Sequence, residues 1–354
     1  MTRPETPRPR TLTRPADFVA AGLTAPEEAQ ALAAVTARYS AAMTGHLAGL
    51  VDPADAADPI ARQFVPDARE LEISPRDRAD PIGDDAHAPC EGLVHRYPDR
   101  VLLKIVAACP VYCRFCFRRE TVGAAKGGML AQQALDAALD YIRARPQIWE
   151  VILTGGDPLA LSPRRLGESV RAIASIDHVK TLRFHTRVPV AAPDLVTDEL
   201  VAAIKAAGVS TWVALHANHP RELNDEARAA LEKFVAAGVP LVSQTVLLKG
   251  VNDDPDTLAA LMRAFVEARV KPYYLHHPDL APGTAHFRLP IEEGRRIVAE
   301  LMRRVSGLAR PSYVLDIPGG YGKIPLGVEA ATPDGAGGWR LTDPAGHVHC
   351  YRED

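Results

Sequence analysis

The 354-residue sequence contains no run approaching 18 apolar residues, which excludes a membrane-spanning helix of ordinary length. No apolar stretch follows its Pro/Arg-rich start, Met1-Thr-Arg-Pro-Glu-Thr-Pro-Arg-Pro-Arg10, so no secretory leader is expected and the arm should fray or wrap. Excess charge of one sign is also missing. The 41 basic and 44 acidic side chains leave a net charge of −3, which gives a nucleic acid or a membrane surface little to hold. There is no disulfide framework: of five Cys, three crowd into eight residues while Cys90 and Cys350 stand alone. That distribution points to a reducing compartment, the cytoplasm. Internal repeats and long low-complexity segments are absent as well.

What is present begins with Cys109-Pro-Val-Tyr-Cys113-Arg-Phe-Cys116, directly after the apolar stretch Val101–Val106. A four-iron, four-sulfur cluster normally takes four Cys ligands, so three leave one iron open to a small molecule. The alternatives are a zinc site or core thiols. Zinc motifs usually pair C-x2-C knuckles with a distant Cys or His pair, and three core thiols rarely crowd so closely.

From residue 100 onward a strand-like run followed by a helical pattern recurs about every thirty residues, the spacing of βα units. Strands are predicted at 101–106, 150–153, 180–185, 210–216, 240–248, 271–275 and 312–317. Helices are predicted at 131–145, 163–174, 197–207, 224–237, 256–268 and 291–305, with Gly208 and Gly238 as end signals. The 30 Pro residues suit the many short connections. Six units and a seventh strand predict an α/β fold, a partial, open (β/α)6-type barrel. Residues 1–94 read as a helical extension packed on the barrel, with helices at 26–47 and 52–64 and a Pro/Asp-rich connector at 77–89. The barrel spans 95–327, and 328–354 form a tail with a hairpin turning at Asp343-Pro-Ala-Gly346.

Unusual polar residues gather where strands end, and in such barrels that face builds the active site. Thr154-Gly-Gly-Asp157 follows the second strand. Gly155 and Gly156 would let backbone approach a ligand, and Asp157 could accept from an ammonium group, unless this is an ordinary tight turn. His95-Arg96-Tyr97-Pro-Asp-Arg100 offers two guanidinium groups and a phenol for a phosphate, against the plainer reading of a solvated basic turn. Asp316-Ile-Pro-Gly-Gly-Tyr-Gly-Lys323 delivers one Lys on a Gly-rich loop, which suits a Schiff-base lysine for pyridoxal 5′-phosphate (PLP). Walker-type phosphate binding fails, since the G-x-x-x-x-G-K-[ST] spacing is absent and Ile324 follows the Lys. Lys249 competes for the imine role from what reads as an exposed turn. His216 and His219 lack a third ligand at helical spacing, so hydrogen bonding to a cofactor is the better use of His216, with Gln244 alongside.

The Cys spacing, with Phe115 before the third Cys, resembles the cluster loop of radical S-adenosylmethionine (SAM) enzymes, and Gly155-Gly156-Asp157 resembles their motif for the methionine amino group. From Ala20 to Leu326 the chain resembles the lysine 2,3-aminomutase family. The matching strings include His95–Val101, the Cys loop with Arg118-Arg119, Leu153–Leu159, His185–Pro189, His216–Pro220, Gln244–Asp253, Pro272–Leu275, His286-Phe287 and the Asp316–Lys323 loop. The resemblance implies a [4Fe-4S] cluster on Cys109, Cys113 and Cys116, SAM at its open iron, and PLP on Lys323 with its phosphate clamped by Arg96, Tyr97 and Arg100. It further implies Arg118 on the substrate carboxylate and Asp279 and Asp316 on the distal ammonium of L-lysine, whose amino group moves from C2 to C3. Two carboxylates should not face an anionic side chain, so their presence favours a cationic substrate over glutamate.

The resemblance also implies an electron donor such as flavodoxin or ferredoxin, and it allows a homo-oligomer. The Cys-rich C-terminal zinc segment of the longer clostridial-type enzymes is missing, with Asp254 in the region that supplies their extra Cys. Phe117 and Leu275-His276 resemble the shorter branch that supplies β-lysine for elongation factor P modification, yet that branch lacks the Asp316-type loop. The readings that compete with a lysine aminomutase are an aminomutase for another amino acid and a metal-binding scaffold without catalysis.

Overall fold

The computed structural model describes residues 10–123, 128–206, 208–327, 331–335, 338–343 and 347–352. A nine-stranded sheet runs in sequence order. Its strands are β1 (Leu93–Tyr97), β2 (Arg100–Val106), β3 (Glu150–Gly155), β4 (Thr181–Thr186), β5 (Ser210–His216), β6 (Leu241–Val246), β7 (Val270–His276), β8 (Ser312–Ile317) and β9 (Gly322–Pro325). Strands β2 to β8 are parallel, while β1 and β9 add antiparallel edges at either end. Both edge strands are additions to the sequence reading. The His95–Arg100 segment is a tight antiparallel hairpin rather than a solvated turn, and the Gly-rich loop is a hairpin that sets Lys323 directly opposite Asp316.

Alternation explains how each strand serves two surfaces. On β2, Val101, Leu103 and Ile105 are buried in the main core, while Arg100 and Leu102 line the barrel interior. The barrel helices lie at the predicted places: α5 (Gln132–Arg143), α6 (Pro163–Ala174), α8 (Asp198–Ala203), α9 (Asp225–Ala236), α10 (Pro255–Glu267) and α11 (Ile291–Arg304), with the short α7 (Val188–Ala191) after β4. On α6, Leu166, Val170 and Ile173 form the apolar stripe of a 3.6-residue period. Thr197, Asn224 and Asp254 cap α8, α9 and α10 through the backbone N–H groups of Leu200, Ala227 and Thr257. Helix α8 is shorter than predicted because the Thr211 hydroxyl takes the Ile204 carbonyl, and Ala207 lies outside the described residues.

The N-terminal region holds α1 (Pro15–Ala20), α2 (Ala29–Arg38), α3 (Gly45–Ala48) and α4 (Pro59–Phe64), shorter than the helices expected over 26–47 and 52–64. Helix α2 stops because Met43 and Leu12 exchange backbone hydrogen bonds that draw residues 40–44 into extended form. Asp58 starts α4 late by capping Ile60 and Ala61 ahead of Pro59. Residues past the barrel form a small sheet of β10 (Ala331–Pro333), β11 (Gly338–Thr342) and β12 (Val348–Arg352). Strands β11 and β12 pair as a hairpin; the expected turn at Asp343–Gly346 lies mostly outside the described residues. Among the described residues no helix is long and apolar enough to cross a membrane.

The N-terminal region builds the floor of the Cys loop. Tyr112 N–H donates to the Ala42 carbonyl, and Arg114 N–H donates to that of Gln63. Arg114 and Arg119 both bond the carboxylate of Glu70, with Arg114 Nε at 2.9 Å from Oε1, and Glu70 is wholly buried. Removing the charge from a buried, paired carboxylate leaves its cations uncompensated, which costs about 3–5 kcal/mol. Glu70→Gln should therefore lower stability by that order in a urea unfolding titration. Unchanged stability would contradict this role.

Candidate active site

Cys109, Cys113 and Cys116 open onto one cavity of about 580 Å³ that runs through the barrel from Arg100 and Glu150 at the strands' N-terminal ends to the loops at their C-terminal ends, a size typical of ligand sites. Burial pushes the Cys109 thiol well above its ordinary value, with Asp157, Cys116 and Cys113 adding to the shift. Burial and Cys113 push Cys116 up to about 11. Arg187 donates to Cys113 Sγ at 2.9 Å and anchors its other end on Glu222 at 2.8 Å. Among the described residues no group of three His, Cys, Asp or Glu side chains is drawn together as a metal site. The three thiols line the cavity as separate donors.

The two glycines after β3 are required by contact. Gly155 has φ +109, and a Cβ there would meet the Val106 carbonyl at 2.4 Å; one at Gly156 would lie 2.2 Å from the Ala108 carbonyl. Strand β3 thus ends flush against the chain entering the Cys loop. Asp157 lines the cavity, but its carboxylate is fully engaged, accepting from Leu159 N–H and the Thr186 hydroxyl on one oxygen and from Arg187 N–H and Val188 N–H on the other. It ties the ends of β3 and β4 together.

On β8, Asp316 is a hub. Lys323 Nζ lies 2.8 Å from its Oδ2, Arg96 Nη2 lies 3.4 Å from Oδ1, and His276 Nδ1 lies 3.8 Å from Oδ2. Burial and the nearby Lys323 charge hold the His276 imidazole down to about 3, so it is neutral. Tyr97 accepts the backbone N–H of Lys323 at 2.9 Å, and the Arg100 guanidinium stacks 3.7 Å from the Tyr97 ring centre. Arg118 faces the same cavity, where Gln244 bonds His185 at 3.1 Å and Phe115 meets His216 edge-on. Asp279, which also lines it, is pushed up to about 7 by burial and by the like charge of Asp316.

Every residue proposed from sequence for cluster, cofactor or substrate lines this one cavity. The two weighed alternatives fall outside it: His219 caps the turn Pro220–Glu222, and Lys249 is exposed. Sequence reasoning missed Arg187, His276 and Asp84. Arg187 and His276 stood in strand-end clusters without a role, whereas Asp84 had no signal beyond its place in the connector.

Residues 103–262 match the radical SAM superfamily. The chain is 40% identical over 300 residues to the L-lysine 2,3-aminomutase of Clostridium subterminale, covering 85% of this chain and 72% of that protein. The same activity is named for an Acetoanaerobium sticklandii relative, 39% identical over 85% of this chain and 72% of its own length. A glutamate 2,3-aminomutase of Clostridioides difficile is 34% identical over 85% of this chain and 70% of its length. The chain belongs to the lysine 2,3-aminomutase family.

As a family member it is an aminomutase, an isomerase, whose cofactors are a [4Fe-4S] cluster, SAM and PLP. The cavity fits these groups. Its lining offers three thiols, a lysine amine, guanidinium groups and close-packed glycines. His216 Nε2, His276 Nε2 and Arg96 Nε are buried there without a hydrogen-bond partner, which native structures rarely tolerate unless a ligand completes the set.

The Asp279 shift has a measurable sign. Between its ordinary value of 3.8 and about 7 the folded protein holds a proton that the unfolded chain has released, so stability falls as pH rises through that window. Asp279→Asn in the cofactor-free protein should flatten this fall, seen as a gain in Tm over the parent at pH 8 that shrinks at pH 5. Parallel Tm profiles would contradict the shift.

Proposed function

We propose that this aminomutase converts L-lysine to β-lysine by moving the amino group from C2 to C3, in the cytoplasm, with electrons from a donor such as flavodoxin or ferredoxin. The observation that carries the lysine reading is the pair Asp316 and Asp279 in the cavity, one partnered by Lys323 and the other buried without an ion pair among the described residues, its proton affinity raised by burial and by the like charge of Asp316. A distal ammonium would relieve that unpaired carboxylate; a distal carboxylate would add a third like charge.

Cys109, Cys113 and Cys116 would hold the cluster, and Gly155, Gly156, Phe115 and His216 would hold SAM. Asp157 fits a supporting role there, because its four hydrogen bonds go to the ends of β3 and β4. Lys323 would hold PLP, with Arg96, Tyr97 and Arg100 on its phosphate and Gln244 near its ring. When bound, cluster and SAM supply a 5′-deoxyadenosyl radical and PLP carries the migrating nitrogen. The chain's own residues bind and orient. Arg118 takes the substrate carboxylate through its planar fork. Asp279 and Asp316 fix the distal end, and the apolar walls from Phe115, Val246 and Phe287 exclude water around the reacting carbons.

Because Asp316 already bonds Lys323, Asp316→Asn should impair both PLP loading and lysine turnover, whereas Asp279→Asn should spare loading and affect lysine alone. Leaving a desolvated cation underpaired costs about 3 kcal/mol or more, so kcat/KM for lysine should fall about a hundredfold in Asp279→Asn. The deciding experiment is an anaerobic product assay with all cofactors over lysine, glutamate and alanine. β-Lysine as the main product supports the proposal; preferred conversion of glutamate or alanine refutes it. In the same system, replacing Cys109, Cys113 or Cys116 by Ala should abolish SAM cleavage, while Cys350→Ala should not. Equal loss from Cys350→Ala would overturn the ligand set.

A further inference from the structure

Residues Asp77–His87 lie outside the region matched to the radical SAM superfamily and hold no regular structure beyond the turn Asp85–His87. They nevertheless touch the segments that carry Arg96, Arg118, Asp279 and the Asp316–Lys323 hairpin. The Ile82 carbonyl accepts from Arg96 at 2.7 Å. Arg78 N–H donates to the Leu280 carbonyl at 2.8 Å, next to Asp279. Gly83, at φ +73, packs on the β8–β9 turn so closely that a Cβ would sit 2.4 Å from Gly320 N. Asp84 Oδ2 accepts from both Nε and Nη2 of Arg118, each at 3.0 Å, and lies 3.9 Å from Lys104 Nζ.

This strap is itself pinned. The Asp80 carboxylate accepts from the N–H groups of Asp84 and Asp85 at 2.8 and 2.9 Å, and Asp77 pairs with Arg288 at 2.7 Å. Asp84 is only 6% exposed and is not part of the cavity wall, whereas Ile82 and Arg118 are. Its carboxylate thus holds the Nε–Nη2 edge of the fork from outside the cavity that Arg118 lines. A long Arg side chain carries much rotamer entropy, and a bidentate site works only if that freedom is removed before the ligand arrives.

We infer that the Asp77–His87 strap is an active-site element in which Asp84 is the positioning residue for Arg118, setting the geometry of the subsite for the substrate carboxylate. The inference rests on the reading of Arg118 given under Proposed function. Ile82 on the same strap holds Arg96 through its backbone carbonyl.

The test uses the holoenzyme with Asp84→Asn, Asp84→Glu and Arg118→Gln, lysine as substrate, and 1,5-diaminopentane, which is lysine without its carboxylate, as competing ligand. Hydrogen bonds to charged groups are worth about 1.5–3 kcal/mol, so Asp84→Asn should raise KM for lysine about ten- to a hundredfold. It should change kcat little, leave inhibition by 1,5-diaminopentane unchanged, and keep the cluster and Lys323–PLP absorbance bands of the parent. Asp84→Glu, which retains the carboxylate, should restore most of the affinity. A parental KM in Asp84→Asn, or equal losses for lysine and the diamine, would overturn the inference. If Arg118→Gln also leaves lysine KM unchanged, the carboxylate reading of Arg118 itself fails; if only Arg118→Gln raises it, the strap inference alone fails.

Discussion

The constraint on which this site depends is the seam between β1 and β9. The sheet runs through nine strands without pairing its two edges to each other. An unpaired edge leaves backbone groups looking for partners, and here side chains supply them. The Tyr97 hydroxyl takes the N–H of Lys323, and Arg96 reaches Asp316 across the gap. A ladder at this point would have fixed backbone to backbone and sealed the barrel. Side-chain stitching holds the edges while leaving a lysine amine, two guanidinium groups and two carboxylates facing one interior. Gly322, at φ +98, lets β9 approach Tyr97 closely enough for the bond to form.

Charge is balanced along that seam, and the balance is what selects a ligand. Lys323 and Arg96 neutralise Asp316, while Asp279 faces the same space with its proton retained up to about 7. Asp279 thus stands in the same interior as Arg118 with no ion pair of its own among the described residues, an arrangement that, on the proposed reading, suits a molecule with an ammonium at one end and a carboxylate at the other. The Asp77–His87 strap keeps these groups in register from outside the barrel. Glu70 does the same for the Cys loop by holding Arg114 and Arg119 together.

The barrel was legible in the sequence because each βα unit states its own period: Val101, Leu103 and Ile105 alternate, and Leu166, Val170 and Ile173 recur at helical spacing. Many site residues, from the Cys loop to Asp316, were legible for a related reason, since parallel strands bring their C-terminal ends to one face; Arg96, Tyr97 and Arg100, on β1 and at the start of β2, were found by their residue types instead. The antiparallel edges were not legible. Leu93–Tyr97 and Gly322–Pro325 are short, carry Gly, Pro or charge, and become strands only because β2 and β8 offer them a template. Asp84 and Glu70 were hidden for a different reason: their partners lie 34 and 44 residues away, and nothing local marks an acidic residue in a Pro/Asp-rich stretch as a holder of Arg118 or Arg114. The early end of α2 belongs with these, because Leu12 imposes it from across the chain.

The central claim is that the amine at the seam, Lys323, is the one that binds PLP. Borohydride reduction of the PLP-loaded protein followed by peptide mapping tests it most directly. The account predicts a pyridoxyl group on Lys323, the lysine held against Asp316 and the Tyr97 hydroxyl. A label on Lys249, exposed beyond β6, or on Lys104, beside Asp84, would contradict it.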